Sequence, residues 1–252
     1  MVTQAQPVPL VESRPTLEIR RKHLLAIRWM HWINFPLLFT MIWSGTFIYW
    51  ADSDPVHGNL SHVYRVGIGS FTLFRFFPNW VYSALGTPYQ LTKGLGYHFF
   101  FMWLFAANGL CYVAYLAISG AWRDLCPSRN SLRDAIYVML YDLHLRKQPP
   151  PQLKYNAAQK IAYSGVIVMG AGALFTGLAI YKPASLHWFT EICGGYEMAR
   201  WEHFWLTIGF MAFFLIHVSQ VMMAGWNNFR SMVSGDELVR PGEPANHEEP
   251  LS

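Results

Sequence analysis

Four stretches of the chain are apolar almost without interruption and long enough to cross a hydrocarbon layer. They run over about residues 25–50, 96–120, 157–181 and 201–225. Each is near the ~20 residues that a helix needs to span about 30 Å. Each also carries Trp or Tyr near an end, where amphipathic rings settle at a membrane interface. Pro36 lies inside the first stretch and predicts a kink there. Residues 51–95, between the first two spans, are too many for a tight turn. Their segment HVYRVGIGSFTLFRFFPNWVYSALG is aromatic and weakly amphipathic, which predicts one or two helices lying in the outer interface. Arg65, Arg75 and Pro78 oppose a fifth spanning helix in the same place. The ends are polar, so 1–22 reads as an N-terminal tail and 231–252 as a disordered C-terminal tail. The pattern therefore predicts an all-α integral membrane four-helix bundle over 23–230, with an outer interfacial helical loop.

Composition supports a membrane chain. It is 53% hydrophobic and 17% aromatic but only 13% charged, against roughly 25% charged in soluble domains. The mean hydropathy of +0.18 leaves room for polar segments outside the bilayer. The net charge of +4 says less than where the cations lie. Five precede or open the first span: Arg14, Arg20, Arg21, Lys22 and Arg28. Six lie between the second and third: Arg123, Arg129, Arg133, Arg146, Lys147 and Lys154. The opposite loops hold only Arg65, Arg75 and Lys93, and Lys182 and Arg200. The positive-inside bias predicts that both termini are cytoplasmic. The first twenty residues are polar and Pro-rich, and predict no cleaved signal. Cys111, Cys126 and Cys193 are scattered, with no CxxCH and no CxxC, which argues against covalent haem attachment, an iron–sulfur cluster and a zinc ribbon. There is no P-loop, dinucleotide fingerprint or nucleophile–base pair.

The chemistry-bearing residues inside the spans are histidines. His203 and His217 are fourteen residues apart on the fourth span. That spacing turns through about 1400°, close to four full turns, and rises about 21 Å, so both rings share one face near opposite membrane edges. In the predicted topology His98 opens the second span on the outer side with His203. His31 lies early in the first span on the cytoplasmic side with His217. Ionisable groups at such depth are costly and need partners. Two histidines at one depth, from different helices, can hold one iron from both sides, the ligation of a haem that carries electrons. Two haem b groups across the bilayer are thus predicted, with pairs His31/His217 and His98/His203. Interhelical hydrogen bonding and zinc are the plainer uses of the same residues. Gly45 follows His31 by fourteen residues, at the depth of the outer pair. Gly165, Gly170, Gly172 and Gly177 line the third span. Small residues serve haem clearance or close helix packing.

These features resemble the bacterial di-haem cytochrome b superfamily. That group takes in cytochrome b561, the cytochrome b subunit of nickel–iron hydrogenases, thiosulfate reductase cytochrome b and the gamma subunit of formate dehydrogenase. The resemblance rests on RWMHW with SG late in the first span, the histidine opening the second and KYNAAQK before the third. The fourteen-residue histidine pair in the fourth completes it. It covers about residues 20–230. It implies the same pairing, His31 with His217 and His98 with His203. It also implies electron transfer in the bacterial inner membrane between a quinone (menaquinone or ubiquinone) and a periplasmic partner. Such a partner would be a molybdopterin oxidoreductase, an iron–sulfur subunit or a hydrogenase. By the same resemblance Asn156 falls at a quinone site beside the cytoplasmic haem. Ala158 stands where that motif has glycine in the gamma subunit.

Gln159 and Lys160 share the polar edge of Asn156, and could bind a quinone carbonyl or haem propionate, or serve capping and snorkelling. Arg28 and Arg200 stand three residues before His31 and His203. Each could hold a haem propionate by charge-assisted bonds, or set topology. The expected function is a membrane-anchoring di-haem subunit of an oxidoreductase. The rival expectation is a stand-alone cytochrome b561-like quinone oxidoreductase acting on a small molecule such as superoxide.

Overall fold

A computed structural model of the chain describes residues 17–52, 66–68, 70–74, 79–84, 86, 90–148 and 155–241. In chain order these form β1 (Glu18–Arg21), α1 (Leu25–Asp52), β2 (Val66–Ile68), β3 (Phe71–Phe74), α2 (Asn79–Ala84) and α3 (Leu91–Ser119). There follow α4 (Trp122–Leu125), α5 (Ser131–Asp142), α6 (Ala157–Tyr181), α7 (His187–Ile192), α8 (Tyr196–Ala224), α9 (Trp226–Ser234) and β4 (Asp236–Val239). The four long helices α1, α3, α6 and α8 occupy the four apolar stretches. Three of them, α3, α6 and α8, are long and apolar enough to cross a membrane. The 28-residue α1 is as long, but Arg28, His31, Asn34, Pro36 and its tryptophans dilute its hydropathy.

The bundle is built as two tight antiparallel pairs, α1 on α3 and α6 on α8. Small residues set the close approaches. A Cβ on Gly94 of α3 would lie 2.6 Å from the Cβ of Phe47 in α1. A Cβ on Gly172 of α6 would lie 3.2 Å from Leu206 Cδ1 in α8. Asn108 of α3 donates from Nδ2 to the Met30 carbonyl at 3.1 Å and lies 3.4 Å from Asn34 Oδ1, which ties the register of the first pair. Between the pairs, contact is made by rings: Phe35 with Phe214, Tyr49 with Phe204, Phe105 with Phe210, and the histidines. On the outside, Phe100, Leu110, Ile118, Val168, Leu215 and Ile216 are exposed, as lipid-facing side chains are.

Several expectations are corrected. The outer loop is not simply helical. β2 and β3 pair as antiparallel strands, and among the described residues of the loop the short α2 follows them. The β-branched and aromatic run VGI…FTLF fits a pleated pair better than a helix face. Residues 53–65, 69, 75–78, 85 and 87–89 of that loop lie outside the described residues, with His57, His62, Arg65, Arg75 and Pro78. The loop between the second and third spans contains α4 and α5, with α5 packed on α6. Residues 149–154 lie outside the description.

The tails are shorter than the expected 1–22 and 231–252. β1 pairs with β4, Glu18 opposite Val239 and Arg21 opposite Asp236, so the first and last described strands lie at the same end of the bundle. The turn that permits this is at Gly235, whose φ of 94 favours glycine. The Gly235 carbonyl accepts from the N–H groups of Lys22 at 2.8 Å and His23 at 3.1 Å. Lys22 Nζ reaches Glu237 Oε2 at 2.9 Å and Asn228 Oδ1 at 3.1 Å, in a nearly buried pair. Residues 1–16 and 242–252 lie outside the described part.

Candidate functional site

The four span histidines meet in two pairs across the gap between the helix pairs. His31 of α1 faces His217 of α8, with ring centres 6.1 Å apart and planes 59° apart. His98 of α3 faces His203 of α8, again at 6.1 Å, with planes 74° apart. The first pair lies at the end of the bundle that carries the β1–β4 clasp. The second lies toward the distal end.

The donor set and spacing select among the uses open to such pairs. An iron bound about 2 Å from one nitrogen of each imidazole leaves ring centres about 6 Å apart. Both pairs have that separation. Among the described residues no hydrogen bond joins the rings of either pair, and the Nδ1 of His31 is buried without a partner. Among the described residues no three His, Cys, Asp or Glu side chains converge as a tetrahedral zinc site needs. Two facing imidazoles among apolar side chains are a donor set that would hold a haem iron between them.

The distal pair has a further layer. His98 Nδ1 lies 3.0 Å from Ser44 Oγ in α1, and Ser44 Oγ lies 2.7 Å from the Thr40 carbonyl. His203 Nδ1 lies 2.9 Å from Thr176 Oγ1 in α6, and that hydroxyl lies 2.8 Å from the Gly172 carbonyl. A glycine follows each hydroxyl residue. A Cβ on Gly45 would stand 3.5 Å from His98 Cε1, and one on Gly177 would stand 3.3 Å from His203 Cε1. In the described structure Gly45 thus gives room to the imidazole ring of His98. Thr176 is absent from the sequence reading, and Ser44 enters it only within the SG dipeptide of the first span, with no role of its own. The repeated hydroxyl–Gly dipeptide at 44–45 and 176–177 is the signal that could have found them.

The profile of the prokaryotic cytochrome b561 family matches residues 22–235, a range that includes all four histidines and both hydroxyl–Gly dipeptides. The chain belongs to that family. Cytochromes of this family are helical bundles of the bacterial inner membrane that bind haem b and take part in electron transport. The chain is also 29% identical, over 207 residues, to a candidate protein-methionine-sulfoxide reductase subunit, YedZ1, of Azospira oryzae strain PS. That alignment covers 82% of this chain and 92% of the relative.

The other residues singled out in this cytochrome b561 family chain have partners of their own. Arg28 donates from Nη2 to the Val233 carbonyl, within the clasp beside His31, and Trp32 Nε1 donates to the Met232 carbonyl at 2.9 Å. Arg200 lies 3.7 Å from Glu197 Oε1 and 5.7 Å from the centre of the Tyr196 ring, one turn before His203. Asn156 is the N-cap of α6. Its Oδ1 accepts from the Gln159 N–H at 2.8 Å, and Gln159 Oε1 accepts from the Asn156 N–H at 3.0 Å. This capping box uses the oxygens of both amides. Among the described residues the Nδ2 group of Asn156 makes no hydrogen bond, and it stands at the same end of the bundle as His31 and His217. The Lys160 backbone N–H continues the helix from the Asn156 carbonyl at 3.0 Å.

Proposed function

We propose that this chain is a membrane-anchoring di-haem subunit that carries electrons across the bacterial inner membrane, between quinone at the cytoplasmic face and a periplasmic oxidoreductase. The single observation that supports it best is the pair of equal histidine separations, 6.1 Å at each of two depths, both bridging the same interhelical gap. His31 and His217 hold the cytoplasmic haem, and His98 and His203 the periplasmic one. Haem b at each pair supplies reversible one-electron chemistry. The chain's own residues place the four imidazoles and exclude water from the gap with Phe105 and Phe210. They also present the two ends of the relay to different partners. The cation bias supports a cytoplasmic position for the end of the bundle that carries the β1–β4 clasp. The name of the Azospira relative favours a reductase of oxidised protein methionine as the partner, with electrons moving outward from quinol. Arg28 and Arg200 are the cations nearest in sequence to the cytoplasmic and periplasmic ligands, and each is assigned a propionate.

A pyridine haemochrome assay on the purified full chain is expected to find two b haems per polypeptide. A folded protein with one haem or none overturns the reading.

Asn156 is assigned to the quinone. Its oxygen is committed to the cap, and its amide N–H groups are donors for a quinone carbonyl, with Gln159 and Lys160 on the same edge. Asn156→Ala would remove cap and donor together, at about 1 kcal/mol for the cap. Asn156→Asp and Asn156→Ser both keep a capping oxygen while deleting the amide donor. Both are expected to slow haem reduction by a quinol analogue several-fold in stopped flow, with spectra and thermal midpoint close to those of the parent. Unchanged rates in both variants would move the quinone site elsewhere.

A further inference from the structure

The two haem ligands of the distal site are braced in the same way, and the two at the terminal site are not. We infer that Ser44 and Thr176 are positioning residues that set the reduction potential of the distal haem through the Nδ1–H groups of His98 and His203. The inference rests on the haem assignment proposed above.

Each brace comes from the other helix of the tight pair. Ser44 of α1 reaches His98 of α3, and Thr176 of α6 reaches His203 of α8. In both, the hydroxyl donates its own proton to a carbonyl four residues back in its helix, Thr40 for Ser44 and Gly172 for Thr176. A hydroxyl whose proton is committed in this way offers a lone pair to its other neighbour. It therefore accepts from the imidazole Nδ1–H, and acceptance is strengthened along such a chain. Two consequences follow. The ring is held in the tautomer that leaves Nε2 free of a proton and facing the gap. The N–H···O bond also makes Nε2 a more basic ligand, as outer partners of metal-bound histidines do. A more basic ligand favours ferric over ferrous iron and so lowers the potential.

The glycines make the contact possible. Any side chain at 45 or 177 would stand against the imidazole, at 3.5 Å and 3.3 Å for the Cβ alone. Ser44 is fully buried and Thr176 nearly so, which keeps water from replacing either hydroxyl. At the terminal site the contrast is plain. His31 Nδ1 is buried with no partner among the described residues. His217 is stacked on Phe213, with ring centres 5.7 Å apart and planes 9° apart, and among the described residues no hydroxyl is hydrogen-bonded to its ring. The Met41 and Ala173 carbonyls also lie beside the braced N–H groups. Deleting a hydroxyl therefore weakens the bracing and does not abolish it.

The test is a spectroelectrochemical titration of the detergent-solubilised full chain with both haems loaded. The distal component is identified as the one lost in His98→Ala. Thr176→Val keeps the shape of the side chain and removes the hydroxyl, and Ser44→Ala does the same at the other ligand. Each is expected to raise the distal potential, shifting the ferrous-to-ferric ratio at fixed potential by about three- to tenfold, where tenfold is about 59 mV for one electron. The double variant should shift further than either single one, and the terminal component should not move. Thr176→Ser, which restores the hydroxyl, should return the parent potential. If both haems are present and the distal potential stays in place, or moves equally in Thr176→Ser and Thr176→Val, the hydroxyls are packing groups and the inference is wrong. If the parent chain has no potentiometric component that depends on His98, the haem assignment itself fails and takes the inference with it.

Discussion

Alanine at His203 is expected to abolish one of two haem components completely, and the same one that disappears with His98→Ala. The two rings face each other at 6.1 Å from α3 and α8, so removing either leaves an iron with one protein ligand in a gap shaped for two. His31→Ala and His217→Ala should instead remove the other component, because those rings form the other pair. Redox titration of each variant reads the outcome directly, with haem content as a second measure. Loss of the same component in His98→Ala and His217→Ala would break the pairing. The fourth helix makes this a demanding test. His203 and His217 share α8, so general damage to that helix would erase both components, while ligand loss erases one.

The second large effect is expected at Gly94. A methyl group there would meet the Phe47 Cβ at 2.6 Å, the Ser44 carbonyl oxygen at 3.2 Å and Ile48 Cγ1 at 3.3 Å. Phe47 and Ser44 are fully buried, and a Cβ cannot swing aside as the end of a long side chain can. Gly94→Ala must therefore push α1 from α3, at about 1–3 kcal/mol for overpacking. The displaced segment carries Ser44 and Gly45, which hold His98. A lower thermal midpoint is expected, together with loss or weakening of the distal haem and retention of the terminal one. Gly96→Ala, two residues along the same helix, is the control. Among the described residues, apart from its chain neighbours and its own helix backbone, no atom lies within 4 Å of an added Cβ, and alanine favours a helix over glycine by up to about 1 kcal/mol. Gly96→Ala should be neutral or stabilising. Equal behaviour of the two variants would show that the close α1–α3 contact does not support the distal site.

Much of this chain is legible before it folds. Four apolar runs of spanning length, aromatic at their ends, determine a membrane bundle, because a bilayer admits only backbone whose polar groups are satisfied within the segment. The fourteen-residue spacing in α8 determines two levels on one helix face. Depth then sorts His31 and His98 between them: an early position on α1, antiparallel to α8, meets a late one on α8, and an early position on α3, which runs the same way as α8, meets an early one. These are consequences of helix rise and hydrocarbon thickness, which act locally along the chain.

Other features required the tertiary structure. The clasp between β1 and β4 joins residues over two hundred positions apart through backbone bonds that leave little trace in side-chain pattern, so its strands read as tail. The pairing of β2 with β3 was hidden for a related reason: a short aromatic run suits either a strand or an interfacial helix, and strand pairing decides it. Arg28 reads as a cation near a haem, but its reach to the Val233 carbonyl depends on where α9 ends. Asn156 and Gln159 read as donors, and the backbone at the start of α6 takes their oxygens. Ser44 reads only as part of the SG dipeptide late in the first span, and Thr176 as an ordinary small residue. They matter because two helix pairs each bring a hydroxyl within 3.0 Å of an imidazole on the neighbouring helix, a contact determined by interhelical distance and rotation. The sequence by itself determined which residues share a depth; only the packing of α1 on α3 and of α6 on α8 decided which side chains meet there.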